Sequence, residues 1–209
     1  MTLRLFLVRH GQTDGNAEGR SQGRRDIPLN VLGQRQAAAV GERFCPRPLV
    51  AVIASPLARS RATAEAIAAP HGLTVDFDAR LAELDHGILD GLTGEELRRD
   101  YADFLAQWRD GDPADLAMPG GESMRDAQQR MVEAIEAIAE RWAFADRADV
   151  AVVSHNLATR AFLCHALGVP IATFRRLRHD LAAFAELERL DDGDWLVVRL
   201  NEQCHLPGE

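Results

Sequence analysis

The sequence predicts an α/β domain of three layers, with helices on both faces of a mostly parallel central sheet and a helical insertion over one rim of that sheet. Three observations predict it. Apolar runs at 3–8, 49–54 and 149–154 are each bounded by polar or glycine-containing turns and followed by a helical pattern, as buried parallel strands are. The segments 182–190 and 195–200, separated by Asp191-Asp192-Gly193-Asp194, read as a C-terminal hairpin with a turn longer than two residues. A chain of 209 residues buries about 70% of its unfolded surface, enough for one core without disulfide or metal support, so a single domain over 1–209 is expected.

After the first strand comes a long loop rich in Gly, Asn, Asp and Arg that runs through Pro28, a length that suggests a functional segment. Asn30 is a candidate cap for a helix over 31–44. The strand at 49–54 leads into a helix over 57–69 that Pro70 and Gly72 stop. Residues 73–77 alternate as a half-exposed strand does, and an irregular stretch follows from Glu83 to Gly94. The segment 88–124 contains no strand pattern and several glycines, so it reads either as a lid or as a packed surface subdomain. From the candidate cap Ser123, positions Met124, Met131, Ile135, Ile138 and Trp142 form one apolar stripe of a long helix. The strand ending at Ser154 is followed by a helix over 157–167 that Gly168 and Pro170 end.

Composition narrows the function classes. The 24 basic residues are all arginine and face 32 acidic ones, for a net charge of -8, which argues against a general nucleic-acid or membrane-binding surface. Without lysine, neither a Schiff-base mechanism nor a Walker-type phosphate lysine is available, and any anion is held by guanidinium, whose planar fork matches phosphate. Cys45, Cys164 and Cys204 follow no metal-binding spacing, and no secretion signal or run of 18 apolar residues is present. A cytoplasmic protein is expected.

Polar clusters follow three of the strands: Arg9-His10-Gly11, Ser55-Pro56-Leu57-Ala58-Arg59 and Ser154-His155-Asn156. Open parallel sheets bind ligands at the carboxyl ends of their strands, so two imidazoles and two guanidinium groups at one rim would form a positive pocket suited to a phosphoryl group. A lone histidine after a strand is usually a satisfied structural residue, and zinc would need further ligands that no HxH, HExxH or CxxC supplies. The pairing of His10 with His155 favours phosphate chemistry over both.

Leu7-Val8-Arg9-His10-Gly11-Gln12-Thr13 with Asn16 resembles the signature of the histidine phosphatase superfamily, also called the phosphoglycerate mutase-like family. Gln22-Gly23, Asp26-Ile27-Pro28-Leu29, Gly33, the Ser55 to Arg59 motif with Thr63, Glu83 with Gly87 and Gly91, Pro119 to Ser123, and Ser154-His155 follow in the family's order. The resemblance implies that His10 is the nucleophile that becomes a phosphohistidine. It implies that Arg9, Arg59 and His155 bind the phosphoryl group, that Asn16 assists, and that no metal or other cofactor is required. Glu83 matches the acid/base carboxylate, with Asp85 as the fallback.

Gln22, Gly23, Asn156 and His86 are expected at the substrate pocket, and Arg20, Arg24 and Arg25 are weaker candidates for contact with an anion. Gly15 stands where a bulky aromatic is frequent, and Asn156 where the family usually has Gly. Asparagine tolerates positive φ, so the turn after His155 is expected to survive, with the Asn156 side chain crowding or touching the phosphate. His71, His165, His179 and His205 take the structural reading, the last of them in a frayed tail.

By the same resemblance, phosphoglycerate mutases carry a longer insertion with a lysine and paired arginines. Here the insertion is compact, and Arg98-Arg99 reads as an ordinary helix surface. The expected activity is metal-independent hydrolysis of a small phosphorylated metabolite, with mutase-type transfer as the rival and a noncatalytic phospho-ligand-binding module as the weaker alternative.

Overall fold

The computed structural model describes residues 2–143 and 145–206. β1 (Thr2–Arg9) leads through α1 (Asp14–Ala17) and α2 (Val31–Phe44) to β2 (Leu49–Ala54). α3 (Ala58–Ala68) and β3 (Val75–Phe77) follow, then α4 (Gly94–Asp100), α5 (Ala102–Asp110) and α6 (Met124–Arg141). β4 (Arg147–Ser154), α7 (Asn156–Ala166), β5 (Phe184–Arg189) and β6 (Trp195–Glu202) complete the chain. The six strands form one sheet in the order β3-β2-β4-β1-β5-β6. β3, β2, β4 and β1 are mutually parallel, whereas β5 is antiparallel to both β1 and β6.

Alternation along β1 divides the core into two layers, because successive side chains of a strand point to opposite faces. Leu3, Leu5 and Leu7 pack with α6 and α7, through residues such as Met131, Ile135 and Phe162. Phe6 and Val8 face α2 and α3, meeting Val40, Phe44 and Ile67. The sheet therefore carries helices on both faces, as its hydrophobic pattern predicts. Among the described residues, no helix is long and apolar enough to cross a membrane.

The predicted caps form. Asn30 accepts a hydrogen bond from the Gly33 amide at 2.9 Å, and Ser123 makes a reciprocal capping box with Asp126. The helix after β2 ends at Ala68 and passes through a 3₁₀ turn to Gly72, whose φ of 64° needs the freedom of glycine. β3 is shorter than the alternating run, three residues from Val75, because only these pair with β2 at the sheet edge. The stripe of α6 is buried at Met124, Met131, Ile135 and Ile138.

Residues 88–124 contain α4 and α5 and no strand. Leu89, Ala114 and Met118 form a third apolar cluster with Met124 of α6, Cys164 of α7, and Ile171 and Phe174 of the following 3₁₀ segment. Leu97, Tyr101, Phe104 and Trp108 cover its outer side. The C-terminal tail is anchored at His205, which stacks on Phe184 and places its Nε2 2.9 Å from the Ala182 carbonyl, so it does not fray at that point.

Candidate active site

Because β4 lies between β1 and β2, the three polar clusters that follow these strands become neighbours. In register, Arg9 pairs with Ser154, and the His10 amide donates to the Ser154 carbonyl at 3.2 Å. The Ser55 amide donates to Val153 at 3.0 Å. The ring centroids of His10 and His155 come to lie 5.0 Å apart, both buried. On its other side, the His10 carbonyl accepts the amide of Ala182 at 3.1 Å. Ala182 itself has a φ of 56°, a left-handed conformation that costs a non-glycine residue about 1 kcal/mol.

The partners of His10 define its tautomer. Nδ1 is 2.7 Å from the Gly11 carbonyl, which can only accept, so Nδ1 carries the proton. Nε2 is 3.2 Å from Nε of Arg59, which can only donate, so Nε2 presents its lone pair. Burial, reinforced by the charges of Arg59 and Arg9, holds the His10 imidazole well below its ordinary pKa and therefore neutral. This is the state a nitrogen nucleophile requires.

Arg59 is fully buried, and its two terminal nitrogens each donate at 2.7 Å, one to the Arg25 carbonyl and one to the Gly23 carbonyl. The guanidinium is thus aimed at His10 by the backbone of the first loop. Arg9 donates to the His179 carbonyl at 2.8 Å, while its buried Nε has no partner. Desolvation brings the Arg9 pKa down to about 10, which leaves it a cation at neutral pH. His155 Nε2 lies 2.9 Å from Ser55 Oγ and 3.3 Å from Ser60 Oγ, whereas its Nδ1 is buried and unpartnered.

Glu83 is buried, and its carboxylate accepts backbone amides from Leu84 (2.9 Å), Leu157 (3.2 Å) and Ala158 (3.0 Å). Two of these are free amides at the start of α7, which a carboxylate satisfies while meeting the positive end of the helix dipole. Arg130 clamps the same segment by donating to the carbonyls of Arg80, Ala82 and Glu83 and pairing with Glu122. Asp85 instead accepts the Gly87 amide and stands 3.8 Å from Arg24, so Glu83 is the carboxylate that meets the start of α7 next to His155.

The first loop is tied together around Thr13. Its Oγ1 lies 3.0 Å from Asn16 Oδ1 and 2.8 Å from Gln22 Oε1, and Gln22 Nε2 is buried without a partner. Gly23 admits no side chain, since a Cβ there would lie 2.8 Å from the His86 amide nitrogen. His86 sits behind Gly23, bonded to Ser21 at 2.7 Å. Arg20 and Arg24 are engaged by Glu18 and Glu122 at the surface. Asn156 needs no positive φ; it is the first residue of α7, and the turn forms with ordinary dihedral angles.

The residue least visible in the sequence is His179. It is buried, neither ring nitrogen has a partner, and its own carbonyl holds Arg9. Its place in the Arg175-Arg176-Leu177-Arg178 run was the available signal, but an arginine-rich connection reads as solvated until the fold is known. Ser55 and Ser60 as partners of His155, and Arg130 as the clamp on Glu83, likewise emerge only in three dimensions. Among the described residues, no three His, Cys, Asp or Glu side chains converge as metal ligands would.

Three buried neutral imidazoles make stability depend on pH. His10 and His155 titrate well below 6.5 and His179 near 3, whereas each takes up its proton near 6.5 once unfolded. Their contribution is fully present above pH 6.5 and is lost as the pH falls below it, by up to about 1.4 kcal/mol per pH unit for each group. Urea midpoints should drop steeply between pH 7 and pH 5. An unchanged midpoint would show that these rings protonate in the folded state.

Two imidazoles, two guanidinium groups and a buried carboxylate thus gather at the carboxyl edge of the parallel strands. The chain belongs to the histidine phosphatase superfamily (branch 1), whose model it matches over residues 5–203. It is 40% identical to a probable phosphoglycerate mutase, GpmB, of Klebsiella pneumoniae, over 98% of this chain and 95% of the relative. Among solved structures it resembles mycobacterial glucosyl-3-phosphoglycerate phosphatase, with 31% identity, a TM-score of 0.86, and coverage of 97% of this chain and 100% of that one. It also resembles YhfR of Bacillus stearothermophilus, with 26% identity, a TM-score of 0.89, and coverage of 98% and 100%.

Proposed function

We propose that the protein is a metal-independent phosphomonoesterase that hydrolyses a small phosphorylated metabolite through a phosphohistidine on His10. The observation that carries this reading is the His10 tautomer, with its Nε2 lone pair turned toward the Arg59 guanidinium in a buried, cationic pocket. In the first step Nε2 attacks phosphorus and the bond from phosphorus to the ester oxygen breaks. Arg59 shifts its Nε donor from the imidazole to a phosphoryl oxygen, and Arg9 and His155 supply further donors. Glu83, entering the cycle in its acid form, gives its proton to the leaving alkoxide and then takes one from the water that attacks phosphorus, while the bond from phosphorus to Nε2 breaks and orthophosphate departs. Asn16, Gln22, Gly23 and Asn156 line the approach, with His86 behind Gly23.

Hydrolysis is favoured over mutase transfer by the compact insertion and by the setting of Arg98 and Arg99, which are exposed, with Arg99 paired to Asp100. The name of the Klebsiella relative keeps phosphoglycerate mutase chemistry as the second reading. The substrate class is a sugar phosphate, a nucleotide-derived phosphate or a phosphoglycerate derivative, the last in keeping with the mycobacterial neighbour. The net charge of -8 and the free cysteines fit a cytoplasmic enzyme without nucleic-acid or membrane partners.

The test is phosphate release from an aryl phosphate with and without chelator, with isomerisation of 3-phosphoglycerate followed in parallel. The guanidinium groups provide the positive charge in this scheme, so turnover is expected to persist after chelation. Loss of turnover that added metal restores would overturn metal independence. Isomerisation outpacing phosphate release would favour the mutase.

A further inference from the structure

A cavity of about 320 Å³ opens beside the phosphoryl site, bounded by Arg9 and Asn156 on one side and by Arg160 and the 175–180 connection on the other. Arg9 and Asn156, which the proposed scheme places at the phosphoryl group, are among its lining residues, so the cavity borders the place where the ester would bind. Five arginines line it, and Asp180 is the single carboxylate among its lining residues. In a chain with a net charge of -8, this concentration of positive charge is local.

Several of these guanidinium groups are held in place by backbone carbonyls. Arg160 donates to the Phe174 carbonyl, Arg175 to that of Trp108, and Arg9 to that of His179. Such bonds orient a guanidinium without neutralising it. Arg178 is paired with Asp180 at 2.6 Å, but Asp180 is shared with Asn201 and Gln203, and Arg176 has no carboxylate partner among the described residues. The floor carries an independent sign of a missing ligand: His179, 2% exposed, lines the cavity with both ring nitrogens unpartnered. Orphaned buried polar atoms are rare in folded proteins and point to a group that arrives from outside.

We propose that this cavity is a second anion site, which recognises a carboxylate or phosphate carried on the alcohol part of the substrate, so that the preferred esters bear two anionic groups. The proposal rests on the phosphomonoesterase reading and narrows its substrate class. Arg160, Arg176 and Arg178 would supply charge and forked donors, and His179, neutral because burial holds its pKa near 3, one N–H. Substrate selection would then lie with the 175–180 connection as well as with the first loop and residues 88–124.

Three esters of one carbon skeleton test it: glycerol 3-phosphate, 3-phosphoglycerate and glycerol 1,3-bisphosphate. The expected result is a kcat/KM at least about tenfold higher for one of the two doubly anionic esters, as one charge-assisted hydrogen bond would give. Which one identifies the carboxylate or the phosphate as the recognised group. That preference should collapse in the Arg176→Gln/Arg178→Gln protein, whose changes lie at exposed positions, and persist in Arg98→Gln/Arg99→Gln. Equal kcat/KM for all three esters, or a preference that survives the Arg176/Arg178 replacement, overturns the proposal. Calorimetric titration of the His10→Ala protein with the same esters reads the second site without turnover. If no ester is hydrolysed yet this binding preference appears, the phosphatase reading fails and the anion site stands; if binding shows no preference, the anion site fails.

Discussion

Replacing His10 with alanine is expected to lower phosphate release on the order of 10⁴-fold or more while leaving the protein folded, because in the proposed scheme the ring is the one group that forms the covalent intermediate. Its hydrogen bonds are few, one to the Gly11 carbonyl and one from Arg59, so their loss costs little beside the chemistry. The same variant supplies the control for a trapping experiment. Wild-type protein quenched rapidly during turnover should carry an acid-labile, base-stable phosphoryl group, absent from His10→Ala. Equal rates of the two proteins, or label found on serine, would refute covalent catalysis by His10.

Arg59 should show the second largest effect, divided between catalysis and folding. Its guanidinium is buried and satisfies two carbonyls of the first loop besides facing His10. Arg59→Gln leaves those carbonyls unpaired, a loss of about 2–5 kcal/mol in urea unfolding, and in the proposed scheme removes a transition-state donor, a loss of about 10²–10³-fold in kcat/KM. A pH profile separates the two effects. The Arg59 charge helps to keep His10 unprotonated, so its removal raises the His10 pKa, and the variant should lose more activity at pH 6 than at pH 8. Arg59→Lys is not expected to rescue, since an ammonium group cannot reach both carbonyls and the imidazole as a planar fork does. Wild-type kcat/KM in Arg59→Lys would reduce the role of Arg59 to charge alone.

The parts of this molecule that were legible in the sequence share one property: their signals are contiguous. The strand runs at 3–8, 49–54 and 149–154, the caps Asn30 and Ser123, and the stripe of α6 depend on local pattern, and they fold as read. Arg9, His10, Arg59 and His155 were visible because each closes or follows such a strand. Glu83 was different; in an irregular stretch only its family resemblance marked it, and its link to the amides of Leu157 and Ala158 spans more than 70 residues of chain.

The anticipated positive φ at Asn156 did not materialise, because whether that residue ends a turn or begins a helix depends on where α7 docks, not on its own side chain. The surroundings of His179 are hidden from the sequence for a similar reason. Its neighbours in sequence are arginines expected in solvent, whereas in space its carbonyl meets Arg9 and its ring lines a cavity shared with Asn156 and Arg160.

By itself, then, the sequence determined the layered α/β architecture, the absence of lysine chemistry and the identity of the paired imidazoles, since hydrophobic period and strand-end motifs are local quantities. Only the tertiary structure decided which nitrogen of His10 faces Arg59, what holds Glu83, and where the arginines of the 175–180 connection point. Each of those is a contact between segments distant in the chain, determined by the order of strands in the sheet and the packing of α7 against it.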